Sequence, residues 1–594
     1  MTQIPRCAWL RSTVLAAAAL LLAAIAWQIT EPVTSPVARP AQAETLADWK
    51  CTSEGNIPWD EQIAGCTSVI KSGKCNGACM VALLFTRGQA YLKKGDNDNA
   101  IADFTRLIPL DPKFAAHPYS GRADAYAAKG DLDRAIADFT QAIALDPKYI
   151  LAYNNRGNAY KDKGDPDRAI ADYTQVLALD PKFVIAYANR CNAYELKGDI
   201  DHALADCNAA LALDPKFVIA YNNRGNAESD KGDTDRAIAD FSQAVALDPK
   251  FALAYHNRGN AYKDKRDPDH AIADYNAAIA LDPKMAIAYN SRGLAYKDKG
   301  DVDHAIADYG QAITLDPKFA FAYSNRCNAF KDKGDLDHAI ADCNRSIALS
   351  PKYLGAYFNR GLAYKDKGDL DRAIADYNAA LALDARLAVA YGRRGDAYQA
   401  KGDLDRAIAD YNQTIALNPK LAFAFDGRGN VYAAKGDNDR AIADYNQAIA
   451  LDPKFVTAYD GRGNAYLAKG DSDRAVADYN QALALNPKFA LAYNNRGSAY
   501  QKKGDNDRAI ADFSQAITLA PRFAMAYNGR GVAYQHKGDN DRAIADFNQA
   551  IALDPKFALA FNNRSIAYKV KGDNDHAAAD HDAAVRLDPK FDLK

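Results

Sequence analysis

Residues Ile150 to Pro181 read ILAYNNRGNAYKDKGDPDRAIADYTQVLALDP, and the same wording returns with small edits from 218, 252, 286, 422, 456, 490 and 524. Pro147, Pro181, Pro215, Pro249, Pro283, Pro317 and Pro351 close successive copies at one fixed interval; the series misses a step at Ala385 and runs on from Pro419 to Pro589. A period in the range of about 20 to 50 residues marks a solenoid, in which each unit is one supersecondary motif. Here that motif is a helix pair. Tyr153, Arg156, Gly157 and Tyr160 recur at three- and four-residue spacing and share one helical face. Lys163-Gly164-Asp165 ends the run, with glycine where a helix C-terminus wants positive φ. Asp165 and Asp167 favour a second helix by accepting from its free N–H groups and suiting its dipole. That helix carries Ala169, Ile170, Tyr173, Val176 and Leu177, and Asp180-Pro181 stops it. The fold class is therefore all-α, an α-solenoid of antiparallel hairpins.

The short turn fixes a register within the pair. Folding about Gly164 sets Tyr160 across from Ala169, Gly157 across from Tyr173 and Tyr153 across from Val176, large against small at each level. It also sets Arg156 opposite Asp172. The Arg156 place is arginine in all fifteen units, Arg87 to Arg564, and the Asp172 place is aspartate in all fifteen, Asp103 to Asp580. The expectation is a half-buried Arg–Asp ladder rather than a basic groove for acidic ligands. The Arg168 place alternates arginine with His202, His270, His304, His338 and His576, a surface column rather than a metal site. Some places break the pattern. Pro109 should kink the second helix of the first unit or end it early, and Glu228 and Arg266 stand at the Tyr160 and Gly164 places and should weaken their hairpins.

The unit resembles a tetratricopeptide repeat on the strength of Tyr153, Gly157, Tyr160, Ala169, Tyr173 and Pro181; Arg156 departs from the leucine usual in that family. Fifteen units start near 81, 116, 150, 184, 218, 252, 286, 320, 354, 388, 422, 456, 490, 524 and 558 and run to 594. The resemblance implies a right-handed superhelix whose first helices line a concave face that binds extended peptides or partner helices. The matching outward places are those of Asn154, Asn158, Lys161 and Asp162. The expected partner-binding residues are Asn154, Asn158, Asn222, Asn226, His256, Asn260, Asn290, Asn328, Asn494 and Asn562, a row of amides able to donate to and accept from a peptide backbone. The alternative is that asparagine fills a solvated face. The family's carboxylate-clamp lysines are missing from the Asn154 place. Between about 386 and 480 the row changes: Asp396, Asp426 and Asp460 appear, and lysines give way to Gln399, Ala433 and Leu467.

Residues 1–43 lie outside the array. Arg6 and Arg11 precede an apolar run from Val14 to Ile29, and Ala41-Gln42-Ala43 is a small-x-small cleavage pattern, so the segment reads as a secretory signal; the alternative is an uncleaved anchor. Either exports the repeats, which points to a periplasmic or secreted protein. Residues 44–80 form a cysteine-bearing helical cap, in which Trp59 to Ile70 resembles the second helix of a repeat. Cys191 replaces the glycine of its unit and Cys207 the tyrosine facing it; Cys327 and Cys343 do the same, so both pairs are expected to be disulfides across one hairpin. Cys51, Cys66, Cys75 and Cys79 are expected to form two more, with Cys51–Cys66 and Cys75–Cys79 one of the open pairings.

The net charge is −2, which gives no basic surplus for nucleic acid. No catalytic triad, phosphate loop or HExxH motif occurs. The reading is a non-catalytic scaffold for protein or peptide partners, with no cofactor, metal or small-molecule substrate, and membrane contact only if 1–43 is uncleaved. The alternatives are a self-associating envelope-assembly protein and, more remotely, a redox or metal module at 44–80.

Overall fold

The computed structural model describes Cys51, residues 57–73 and residues 75–592. The signal expected at 1–43 lies outside the described residues. Among the described residues the regular structure is 31 α-helices and one 3-10 turn, with no strand. No helix among them is long and apolar enough to cross a membrane. The chain divides into two compact units, one ending at Pro317 and the other beginning at Lys318. Each is a stack of helix hairpins.

The hairpin of Ile150–Asp162 and Pro166–Leu179 shows how the sequence builds the stack. Gly164 takes φ +84°, a left-handed conformation that costs glycine nothing. The turn then lets Asp165 N donate to Tyr160 O and Gly164 N to Lys161 O, both at 2.9 Å, which satisfies carbonyls the helix end would leave open. Asp165 caps the second helix by accepting from Arg168 N, and Pro166 sits in its first turn, where a missing N–H costs nothing.

Between the helices the register is the one read from sequence. A Cβ on Gly157 would lie 2.7 Å from Tyr173 Cε1, so glycine is what lets the tyrosine ring lie flat against the first helix. Tyr173 is fully buried with Ala169 and packs with Tyr160, while Val176 packs with Tyr153. Close approach of this kind recovers dispersion and burial that one helix cannot reach alone.

The irregular places behave as their residues dictate. The second helix of the first repeat, Asn97–Leu107, is three residues shorter than the 14-residue Leu132–Leu145 and stops ahead of Pro109. Arg266 adopts φ +61°, alone among non-glycine described residues. Glu228 is buried, and its Oε2 has no hydrogen-bond partner. The helix Trp59–Ser72 precedes the array and supplies a half-repeat: Thr67 accepts from Arg87 Nη1 at 2.9 Å, and Asp60 pairs with Lys94. Elsewhere these two places belong to second helices.

Candidate partner-binding face of the first helices

Three columns run along the repeats. In the first, all fifteen Arg–Asp pairs are bidentate, Nε to Oδ2 and Nη2 to Oδ1, at 2.6 to 2.9 Å. The guanidinium of Arg156 also lies over Tyr153 and Tyr160, at 5.6 and 5.9 Å from the ring centroids. Its hydrogen bonds to Asp172 outweigh burial and hold it more firmly protonated than usual. The remaining nitrogen reaches back one repeat: Arg156 Nη1 donates to Thr140 Oγ1 at 3.1 Å, and Arg428 Nη1 to Asn412 Oδ1 at 2.6 Å. One side chain therefore closes its own hairpin and clamps the preceding one. With every arginine engaged, the basic groove is not available.

The second column is the Arg168 place. Arginine lies over the Tyr160-type ring, 4.4 Å for Arg168, and histidine stacks on it, 5.0 Å for His270 on Tyr262. Both also bond to the capping aspartate, so the two residues exchange freely. The third column, unread in the sequence, is an exposed ladder between repeats. Lys163 pairs with Asp133, Lys265 with Asp235 at 2.6 Å and Lys435 with Asp405 at 2.6 Å. The invariant lysine before each turn glycine was its signal.

The amide row does not lie where the sequence suggested. Asn154, Asn222, His256, Asn290 and Asn494 are buried, and Asn562 is half-buried. Lys161 is buried too, and burial lowers its pKa; only Asp162 of that pair is exposed. The reason is a seam between neighbouring first helices. Asn189 Nδ2 donates to Asn154 Oδ1 at 3.0 Å, Asn257 to Asn222 at 3.0 Å, and Asn563 to Asn528 at 3.0 Å. His256 joins it through Nε2 and Ser291 Oγ, 3.1 Å apart, and burial pulls its pKa down to about 4. The residue at the Asn155 place, passed over in the sequence, is the donor. Asn158, Asn226, Asn260 and Asn328 are half-buried. Two of them take the hydroxyls of core tyrosines: Tyr173 donates to Asn158 and Tyr275 to Asn260, each at 2.7 Å.

The face changes in the later repeats. The Leu151 place is buried at Ile185, Ile219 and Ile287 but exposed at Leu491 (42%), Met525 (57%) and Leu559 (42%). Gly427, Gly461 and Gly529 replace the donating asparagine, and ring atoms take its space: a Cβ on Gly461 would lie 2.7 Å from Tyr445 Cε1. The sulfurs of the paired cysteines face each other, with Cα–Cα 5.5 Å for Cys191 and Cys207, 5.5 Å for Cys327 and Cys343, 4.7 Å for Cys51 and Cys66 and 5.5 Å for Cys75 and Cys79. These spans suit a disulfide. No group of three or more metal-ligating side chains occurs among the described residues.

Stacked hairpins with one variable face define an α-solenoid built for interaction. Family models described as TPR repeat match residues 123–164, 225–265, 327–368, 361–402, 429–470 and 463–504. Others described as tetratricopeptide repeat match 81–114, 150–183, 184–217, 252–285, 286–319, 388–421, 494–556 and 530–590. The chain belongs to the tetratricopeptide repeat family. Among curated proteins none matches the sequence. Among solved structures, the APC/C hetero-tetramer Cut9–Hcn1 is similar at TM-score 0.50 and 16% identity, over 85% of this chain and 98% of that one. A tetratricopeptide repeat protein from Parabacteroides merdae aligns at TM-score 0.35 and 23% identity, over 42% of this chain and 98% of that one. YrrB, described as a TPR protein with an unusual peptide-binding site, aligns at TM-score 0.27 and 23% identity, over 31% of this chain and 95% of that one. At these identities the likeness concerns the fold, which is typically that of a non-catalytic scaffold for protein–protein interaction.

Proposed function

We propose that this protein is a non-catalytic scaffold of the cell envelope that holds protein or peptide partners on the concave face made by its first helices. The observation that carries the reading is the row Leu491, Met525 and Leu559. Three consecutive repeats expose a large apolar side chain at a place where Ile185, Ile219 and Ile287 are buried, and exposed apolar surface of this kind marks interaction sites. The half-buried amides Asn158, Asn226, Asn260 and Asn328 put side-chain donors and acceptors suited to a peptide backbone on the first helices of other repeats. The second reading is export, supported by the N-terminal pattern and by the eight cysteines that meet in pairs. We take all four pairs to be disulfides; closing a loop of about 15 residues stabilises a hairpin by roughly 3 kcal/mol in the entropic model.

A photoreactive amino acid placed at Met525 tests the first reading in living cells. Crosslinks from Met525, and none from the exposed Leu213 on a second helix, are the expected outcome. Equal crosslinking from both positions would overturn it. Peptide mapping of protein isolated without reductant should find Cys191, Cys207, Cys327 and Cys343 unavailable to alkylation; free thiols at those positions would end the disulfide and export readings together.

A further inference from the structure

Seventeen aspartates among the described residues are less than a tenth exposed. Fifteen of them belong to the Arg–Asp ladder. The other two, Asp426 and Asp460, have no ion-pair partner among the described residues. A carboxylate taken out of water without a cation is costly, and these two occupy the same place in adjacent repeats.

The columns explain how they came to be alone. Both occupy the Asn154 place, whose oxygen elsewhere accepts from the Asn155-type donor of the next repeat. For Asp460 that donor is present: Asn495 Nδ2 lies 3.1 and 3.2 Å from its two oxygens, and Asn464 Nδ2 3.1 Å from Oδ2. For Asp426 the donor's place is Gly461, filled by the Tyr445 ring. Its Oδ2 accepts from Asn430 Nδ2 at 3.2 Å, the Thr457 hydroxyl lies near the carboxylate, and Oδ1 is buried with no partner. Burial pushes Asp426 up to about 6, and the charges of Asp396 and Asp460 add to this. Asp396 is already held by Arg393 Nη1 at 2.9 Å and by the Tyr411 hydroxyl at 2.7 Å. In these same repeats the Lys161 place has become Gln399, Ala433 and Leu467. Lysine has thus left this column in the repeats where Asp426 and Asp460 entered the seam, and Arg393, a basic side chain gained nearby, is engaged by Asp396.

Resting on the docking reading above, we infer that the first-helix face of repeats 422–489 receives a lysine or arginine side chain of a partner's extended segment, with Asp426 and Asp460 as its counter-charges. The partner supplies the cation that the ladder supplies to every other buried aspartate.

The test uses the full chain and three fluorescein-labelled decapeptides, alternating lysine–serine, glutamate–serine and alanine–serine, read by fluorescence anisotropy. The lysine peptide should bind at least tenfold more tightly than the other two. The double variant Asp426→Asn, Asp460→Asn should lose at least tenfold of that affinity, while Asp405→Asn, on the outer Lys–Asp ladder, should stay within twofold. Asparagine is the residue of the Asn154 place in other repeats, and thermal melts of the double variant should show it folded, so lost binding would not be lost structure. Unchanged affinity in the double variant, or no preference for the lysine peptide, overturns the inference. If the neutral peptide binds equally well and Met525 still crosslinks, only the charge assignment falls. If no peptide binds and Met525 captures nothing, the docking reading falls with it.

Discussion

Repeats 150–317 and repeats 388–591 share a hairpin and differ in the face it presents. In the earlier set Ile185, Ile219 and Ile287 are buried at the Leu151 place, an amide seam joins neighbours, and Lys161, Lys263 and Lys297 follow it. In the later set Leu491, Met525 and Leu559 are exposed, glycine interrupts the seam at Gly427, Gly461 and Gly529, and Asp426 and Asp460 are hydrogen-bonded to amides but have no cation beside them among the described residues. The Arg–Asp ladder, the small residue against the buried ring and the turn glycine hardly vary between the two sets. The difference separates two demands on one helix. Residues that face the partner helix of the hairpin are bound by packing, and each change there carries a folding cost. Residues on the opposite stripe are free to vary, so binding properties accumulate on that stripe.

If the ladder is the common frame, breaking it should cost the same in both sets. Asp172→Ala and Asp478→Ala each strand a half-buried arginine, and each should destabilise its own repeat by about 3 kcal/mol. Stability in such an array is local, so native-state hydrogen exchange is the measurement. A cost confined to one set would show that the frame is not shared.

The seam should separate the sets by pH. His256 titrates near 6.5 when unfolded and near 4 when folded. Between those values the unfolded state holds the extra proton, so local stability is full above about 6.5 and falls as pH drops towards 4. Asp426 runs the other way, near 4 unfolded and about 6 folded. There the folded state holds the proton, so local stability is full below about 4 and falls as pH rises through 6. Each effect is roughly 3 kcal/mol at its limit. Exchange in repeats 252–319 and 422–489 from pH 4 to 7 should therefore slope in opposite directions, and His256→Asn and Asp426→Asn should flatten their own slopes. Slopes of the same sign would break the comparison.

Smaller effects should come from the two off-pattern residues of the earlier set. Glu228→Tyr replaces a buried, partly unsatisfied carboxylate by the ring other repeats carry, and should stabilise its hairpin by about 1–3 kcal/mol. Arg266→Gly relieves a left-handed backbone and should add about 1 kcal/mol. Local exchange protection that fails to rise in either variant would mean that neighbouring repeats already absorb the defect.

The period, the helix pair, its turn and its register were legible in the sequence, because the two helices are adjacent in the chain and a short turn leaves them one way to meet. That is why Gly157 against Tyr173, Arg156 with Asp172, and Cys191 beside Cys207 could be read from spacing alone. Contacts between successive hairpins were not legible. They depend on how one pair leans on the next, which is set by all the packed side chains together, and a polar amide looks the same in a sequence whether it faces water or a neighbour. Tertiary structure alone decided that Asn154 and His256 lie in a seam, that the Asn155 place supplies the donor, that lysine and aspartate pair across repeats on the outside, and that Oδ1 of Asp426 is left without a partner.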